Sequence, residues 1–266
     1  MNAETWRGCG APRQIAVLTV WCLRTLVSDR RVVVFSVLQP LIMLVLFTQV
    51  FGAVANPANF PPGVSYVDYL LPAVLVTTGI GPAVAAGASL VREMDRGALT
   101  RFRAMPLGLH WVLLARSLSD MSRVGVQSVV LLASGALLFG FTAHGGVLGS
   151  VAALLVALLV IWTLMWIFIA FAAWLRSPEI MQSIGFVLVF PLMFASSAFV
   201  PVANLPGWLQ VVATVNPMTY AVNAARHLSM GEPVGTSVLL AITTSVGLLA
   251  VAGFLAARGF RRPLTR

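Results

Sequence analysis

Five long stretches without a charged residue constrain this chain more than any other feature. They cover residues 32–67, 69–91, 124–175, 180–225 and 233–257. A helix needs about 20 apolar residues to cross the hydrocarbon core of a bilayer, so each stretch is long enough for at least one crossing. With 59% hydrophobic and 9% charged residues among 266, the composition excludes a water-solvated globule.

The predicted fold is all-α and polytopic, with six transmembrane helices. We place these helices at 33–54, 69–91, 124–142, 147–175, 180–200 and 236–257. A tight connection at 143–146 separates the third helix from the fourth. An amphipathic helix over 13–30 is expected to lie in the membrane interface before the first crossing, because its apolar residues recur on one side.

A seven-helix alternative divides the stretch 180–225 into two full crossings. It would put broken backbone hydrogen bonds in contact with lipid, because three prolines fall inside it: Pro201, Pro206 and Pro217. It would also send the C-terminal arginines to the opposite side from the others. We therefore prefer six crossings.

The preferred reading gives residues 201–235 to two short re-entrant helices between helices 5 and 6. They are expected to dip into the outer leaflet and return, packed against protein. Asn216 and Pro217 suit the start of the second one, as an N-cap amide followed by a first-turn proline. Gly231 suits its end.

The arginines predict the orientation. All seventeen basic residues are arginines, and six crossings place sixteen of them on one side and only Arg226 on the other. The positive-inside rule then makes both termini and the 92–123 loop cytoplasmic. Residues 1–32 form the cytoplasmic N-terminus and residues 258–266 the cytoplasmic tail. A twin-arginine signal at Arg30-Arg31 is disfavoured because the apolar run after it is too long for a signal core.

Other functions are excluded by composition. The net charge of +9 is too sparse to form a phosphate-binding surface, so we predict no nucleic-acid partner. Without a lysine the chain has no Walker A motif, so ATP hydrolysis would have to occur on a separate subunit. The predicted spans contain no titratable residue, which argues against an ion-coupled transporter and an intramembrane enzyme. Cys9 and Cys22 are predicted to be free thiols, and no metal site is predicted.

The 92–123 loop has the densest charge, with both signs mixed around apolar residues. This pattern is suited to docking against another protein, although a solvated turn held by its own ion pairs is the alternative. Small residues recur every four positions at Gly79, Ala83 and Gly87, which predicts a packing seam within the bundle or across a dimer.

Two apolar helix faces are candidates for a substrate pathway, since aromatic and methionine side chains suit a flat hydrophobic compound. Lipid contact or core packing is the alternative for each residue. The candidates are Phe35, Gln39, Ile42 and Leu46 on the first helix, with Phe186, Phe190, Met193 and Phe194 on the fifth.

Three motif blocks together resemble the ABC-2 (type 2) family of ABC-transporter permeases, and most of all its daunorubicin-resistance-type drug and lipid exporters of actinobacteria. The blocks are Tyr69–Pro72, Glu93–Pro106, and Phe199–Arg226 with its Leu-Pro-Gly-Trp-Leu and Asn-Pro-Met-Thr-Tyr segments. The resemblance makes 33–257 an ABC type-2 transmembrane domain. It implies an ATPase-coupling segment with Glu93, Asp95, Arg96, Gly97, Arg101, Phe102, Arg103 and Pro106. It also implies an external re-entrant motif with Pro201, Pro206, Trp208, Asn216, Pro217, Tyr220 and Arg226.

The resemblance further implies a non-enzymatic permease of the bacterial plasma membrane that exports a hydrophobic or amphiphilic drug or lipid. No cofactor is expected on this chain, while ATP and Mg²⁺ would bind two copies of a partner ATPase. A second copy or a sister permease would complete the path, and membrane lipid would surround it. Export of a polysaccharide or cell-wall glycan precursor, and a non-transporting assembly subunit, are the alternatives.

Overall fold

The computed structural model describes residues 30–52, 65–96, 109–175, 177–233 and 235–261, and every regular element within these ranges is helical. The predicted interfacial helix lies outside them, apart from Arg30. The helices, numbered along the chain, are α1 (Arg30–Gly52), α2 (Tyr66–Thr77), α3 (Ile80–Asp95), α4 (Leu109–Leu138), α5 (Gly146–Leu175), α6 (Pro178–Phe194), α7 (Gly207–Val215), α8 (Pro217–Met230) and α9 (Thr236–Arg261).

Four helical segments are long and apolar enough to cross a membrane. They are Tyr66–Asp95, which combines α2 and α3, then Trp111–Leu138, Gly146–Leu175 and Thr236–Phe260. Two shorter apolar helices lie at Leu38–Val50, within α1, and Pro178–Phe194. The predicted all-α, multi-pass architecture is therefore confirmed for the described residues. That α1 and α6 also cross, which would make six spans, stays a prediction.

The second predicted helix, 69–91, is interrupted between α2 and α3. Pro82 has no N–H to donate to the carbonyl of Thr78, four residues earlier, so the hydrogen-bond ladder is broken there. The Thr78 hydroxyl donates to the carbonyl oxygen of Val74 at 2.6 Å instead. The span consists of two short helices joined by a polar kink.

The third predicted helix was placed at 124–142, and its start was wrong. The structure extends α4 back to Leu109, because Arg116, Asp120 and Arg123 recur with helical spacing and continue the helix. The span therefore contains titratable residues, which corrects the expectation that the membrane helices hold none.

The start of α2 is fixed to the connection between α4 and α5. The Ser65 hydroxyl accepts from the Asp68 N–H at 3.2 Å, and the Asp68 carboxylate accepts from the Ser65 N–H at 3.1 Å, which forms a capping box. The same carboxylate accepts from the Thr142 N–H at 2.8 Å. Asp68, 2% exposed, thus stabilises the turn that the sequence placed at 143–146.

Helix α5 lies at the centre of the bundle, in contact with α2, α3, α4, α6, α8 and α9. The predicted small-residue seam faces it. A Cβ on Gly79 would lie 2.2 Å from the Ile161 side chain, and one on Gly87 would lie 2.7 Å from the Phe168 carbonyl oxygen. Ala83 between them is fully buried. The seam is therefore occupied within the subunit.

Two helices, α7 and α8, connect α6 to α9, as predicted. The Asn216 side chain caps α8 by accepting from the Met218 N–H at 2.9 Å, and Pro217 is its first residue. Gly231 ends α8 with φ of 73°. Helix α8 packs against α2, α5 and α9, whereas α7 is largely exposed. Helix α6 ends at Phe194, earlier than the predicted residue 200.

Candidate functional site

A cavity of about 750 Å³ lies between α1, the α2–α3 pair, α4 and α6. It extends from Val74 in α2 to Arg92 in α3, which is five helical turns or roughly 27 Å of chain. The kink at Thr78 and Pro82 forms part of its wall. The wall consists of Gln39, Pro40, Met43, Phe47, Val74, Thr77, Thr78, Gly81, Pro82, Ala85, Ser89, Arg92, Asp120, Arg123, Gln127, Phe190, Met193, Phe194 and Phe199.

The two ends of this cavity differ chemically. The charged side chains of the wall belong to the end formed by the last turns of α3 and the middle of α4. Asp120, Arg123 and Gln127 lie on one face of α4, and Ser89 and Arg92 lie on one face of α3. At the other end the wall is apolar. A cavity built this way is complementary to an amphiphilic molecule.

A series of phenylalanine rings forms the apolar end. The ring centroids of Phe190 and Phe194 are 5.4 Å apart, those of Phe194 and Phe199 are 5.5 Å apart, and those of Phe199 and Phe47 are 4.5 Å apart. Phe186 continues the series along α6, with its ring centroid 4.5 Å from that of Phe190. Phe190 and Phe194 are 44% and 49% exposed, so the cavity is open on this side.

The predicted pathway residues fall into two groups. Gln39, Phe190, Met193 and Phe194 contribute to the cavity wall. Ile42, Leu46 and Phe186 are exposed on the outer faces of α1 and α6 instead. Phe35 lies in α1, but its side chain is outside the described residues. The role of each in substrate movement stays a prediction.

The polar end of the cavity was missed from the sequence. Arg92, Asp120 and Arg123 served there only to mark where helices begin and end. The available signal was the spacing of Arg116, Asp120, Arg123 and Gln127, which follows one helix face across the supposed boundary at 124.

An ion pair joins the ends of the two helices that flank the predicted coupling segment. The Arg116 guanidinium of α4 pairs with the Glu93 carboxylate of α3 and donates to the Ser89 hydroxyl at 2.9 Å. Asp95 and Arg96 are exposed beyond this pair. The other predicted coupling residues lie outside the described ranges: Gly97, Arg101, Phe102, Arg103 and Pro106. The coupling role stays a prediction.

Arg226 of α8 binds three elements together at the opposite end of the bundle. Its guanidinium donates to the carbonyl oxygens of Tyr69 at 3.2 Å and Ser197 at 3.0 Å, and to the Asn223 amide oxygen at 3.1 Å. The guanidinium carbon lies 3.6 Å from the centroid of the Tyr69 ring. Tyr69 and Arg226 belong to separate motif blocks in the sequence, and the structure brings them into contact.

The remaining residues of the predicted external motif surround α7 and the start of α8. The Asn216 amide donates to the carbonyl oxygens of Leu192 at 2.8 Å and Ala195 at 2.7 Å, so it joins the end of α6 to α8. The Tyr220 hydroxyl donates to the Thr214 carbonyl oxygen. Trp208 is 71% exposed on α7. Pro201 and Pro206 precede the 3-10 turn Val202–Asn204 and α7 respectively.

Comparison with known proteins gives a match to the ABC-2 type transporter family model over residues 13–230. The daunorubicin resistance ABC transporter permease protein DrrB1 of Streptomyces coeruleorubidus is 35% identical over 226 residues, covering 85% of this chain and 78% of the relative. A probable doxorubicin resistance ABC transporter permease protein, DrrC of Mycobacterium tuberculosis, is 25% identical over 255 residues, covering 94% and 87%. A probable multidrug ABC transporter permease, YbhR of Escherichia coli K12, is 25% identical over 204 residues, covering 73% and 54%.

Proposed function

The chain belongs to the ABC-2 type transporter family, and on that premise we propose that it is the transmembrane permease subunit of an ATP-driven exporter. Its cargo would be a hydrophobic or amphiphilic compound, such as an anthracycline-like drug or a complex lipid, taken from the cytoplasm or the inner leaflet of a bacterial plasma membrane. The observation that carries this proposal is the cavity of about 750 Å³ with one polar and one aromatic end.

The energy source would be a separate ATPase. The chain has no lysine, so it cannot supply the P-loop lysine that contacts the phosphates of ATP. We propose two ATPase subunits, each binding ATP and Mg²⁺, docked at the segment between α3 and α4. Because Glu93 and Arg116 join those two helices just before the segment, a force applied there would reach both walls of the cavity together.

The orientation follows from the distribution of arginines. With both termini in the cytoplasm, the polar end of the cavity faces the ATPase and the aromatic end faces the outer leaflet. Helices α7 and α8 would then cover the outer end as re-entrant helices. A second copy or a sister permease would close the cavity on its exposed side, where Phe190 and Phe194 are half-exposed.

The aromatic end favours a drug or lipid over the glycan precursor considered as an alternative. Sugars require many polar partners in a pocket, whereas Phe47, Phe194 and Phe199 offer none at this end. An assembly subunit without transport activity would not need such a cavity.

The test is ATP-driven export from proteoliposomes that contain this chain and its ATPase. We expect a fluorescent amphiphile to be moved in the presence of ATP and Mg²⁺, and we expect no movement when either protein is omitted. Transport that is independent of the ATPase subunit would contradict the proposal.

The orientation has a separate test. Asn204 lies exposed in the 3-10 turn before α7, so Asn204→Cys in a chain with Cys9→Ser and Cys22→Ser should react with an impermeant thiol reagent added outside cells. Labelling from the cytoplasmic side alone would contradict the proposed orientation.

A further inference from the structure

The charges at the polar end of the cavity bear on what kind of head group it can hold. The charged side chains of its wall are two arginines and one aspartate, which leaves a net positive charge of one. The nearest further charges, Arg116 and Glu93, are paired with each other and cancel. The polar end therefore has an unbalanced positive charge.

Asp120 does not offer a site for a cation. It lies one helical turn from both Arg116 and Arg123 on α4, and it interacts electrostatically with both. A cationic head group drawn towards this carboxylate would also approach those two guanidinium groups. Since like charges that meet in a partly buried site repel, a cation is the least favoured occupant.

A neutral head group would leave the charge unbalanced. Ser89 and Gln127 could donate hydrogen bonds to a sugar, but Arg92 and Arg123 would lose water without gaining an acceptor of opposite charge. A phosphate, sulfate or carboxylate accepts charge-assisted hydrogen bonds from arginine, and these are stronger than neutral ones. The wall is thus best matched to an anion.

We infer that the cargo is an anionic amphiphile, with its head group between Arg92 and Arg123 and its apolar tail along the phenylalanine series that includes Phe47, Phe194 and Phe199. This inference rests on the proposed function and specifies its substrate class. The roughly 27 Å of chain between Val74 and Arg92 gives the cavity the length of an extended acyl chain with its head group.

The experiment measures equilibrium binding to the full chain in nanodiscs of zwitterionic lipid. Three fluorescent amphiphiles with one common tail carry a phosphate, a glucoside or a quaternary ammonium head group. We expect the phosphate to bind at least about tenfold more tightly than the ammonium, with the glucoside between them. Equal affinities, a preference for the ammonium, or no saturable binding of any of the three would overturn the inference.

Variants locate the effect. Arg123→Gln should weaken phosphate binding about tenfold and leave glucoside binding within about twofold. Arg258→Gln is the matched control, because Arg258 lies exposed on α9 and is not part of the cavity wall; it should change neither. Equal loss in both arginine variants would overturn the inference.

Two further readouts do not depend on the Arg123 variant folding. Asp120→Asn removes the only negative charge of the cavity wall, so phosphate should bind more tightly. Raising the ionic strength should weaken phosphate binding and spare the glucoside, because salt screens charge interactions. The opposite result in either measurement contradicts an anionic head group.

The proposed function and this inference fail differently. If the complex exports all three amphiphiles at equal rates, export stands and the head-group inference is wrong. If the phosphate is bound preferentially but never moved with ATP, the inference stands and the export proposal is wrong.

Discussion

Arg226 and Arg123 show how differently the two sides of the bundle are built. Arg226 is 8% exposed, and its guanidinium reaches two backbone carbonyls, an amide oxygen and an aromatic ring. Arg123 faces a cavity of about 750 Å³. One arginine holds helices in place, and the other lines space that a second molecule can occupy.

The same contrast applies to whole surfaces. On the α5 and α8 side, small residues allow close packing and buried polar groups are matched with acceptors. On the α1 and α6 side, aromatic residues are half-exposed and the wall is open. We conclude that α5 and α8 form a fixed frame, against which α1 and α6 and the kinked α2–α3 pair border the cargo space.

The largest expected effect belongs to the frame. Arg226→Ala would leave the carbonyls of Tyr69 and Ser197 and the Asn223 amide without their donor, in a site that excludes water. We expect a loss of roughly 3 kcal/mol or more of folding free energy. Thermal unfolding of the purified protein in detergent measures it, with Arg258→Ala as the control. Unfolding of both variants at the same temperature would show that Arg226 does not hold the frame together.

The next effect compares two glycines on one helix. A side chain at Gly87 would overlap the Phe168 carbonyl oxygen and Met181, whereas a Cβ at Gly81 meets nothing within 4 Å. Gly87→Leu should therefore cost about 1–3 kcal/mol or prevent folding, while Gly81→Leu should be nearly neutral. Yield and unfolding temperature after purification report both. If Gly81→Leu were the more damaging, the distinction between packed and open faces of α3 would be lost.

The smallest effect on stability is expected at the Glu93–Arg116 pair, because the two side chains are 40% and 24% exposed and such pairs contribute about 1 kcal/mol or less. Glu93→Arg and Arg116→Glu should each reduce the stimulation of the partner ATPase by cargo about threefold to fivefold. The double exchange should restore most of it, since it rebuilds the pair with reversed charges. If the double variant behaves like the two losses combined, the pair does not link α3 to α4.

Much of the frame could be predicted from local sequence. The caps of α8 at Asn216 and Gly231 depend on residues next to one another in the chain, so the pattern alone places them. The crossings at Gly146–Leu175 and Thr236–Phe260 follow from long apolar runs. Arg226 was identified as part of a motif, but its partners were not, because Tyr69 lies 157 residues away and Ser197 lies 29 away.

The cavity was harder to predict for a different reason. A helical wheel groups Phe186, Phe190 and Phe194 in one arc, but only the neighbouring helices decide that Phe190 and Phe194 line the cavity and Phe186 does not. Charges used to end a membrane helix hid the face formed by Asp120 and Arg123. Helical spacing continued across those charges, since a helix that lines a polar cavity can carry them at moderate cost.

The central claim is that cargo passes through the cavity while the frame stays in place. Its most direct test compares Gly81→Phe with Gly247→Phe. A Cβ at either position meets nothing within 4 Å, but Gly81 lines the cavity and Gly247 faces outward on α9. The account predicts that ATP-driven efflux falls at least about tenfold in Gly81→Phe and stays within about twofold of normal in Gly247→Phe, at equal amounts of folded protein. Unchanged efflux in Gly81→Phe, or equal loss in both, would contradict it.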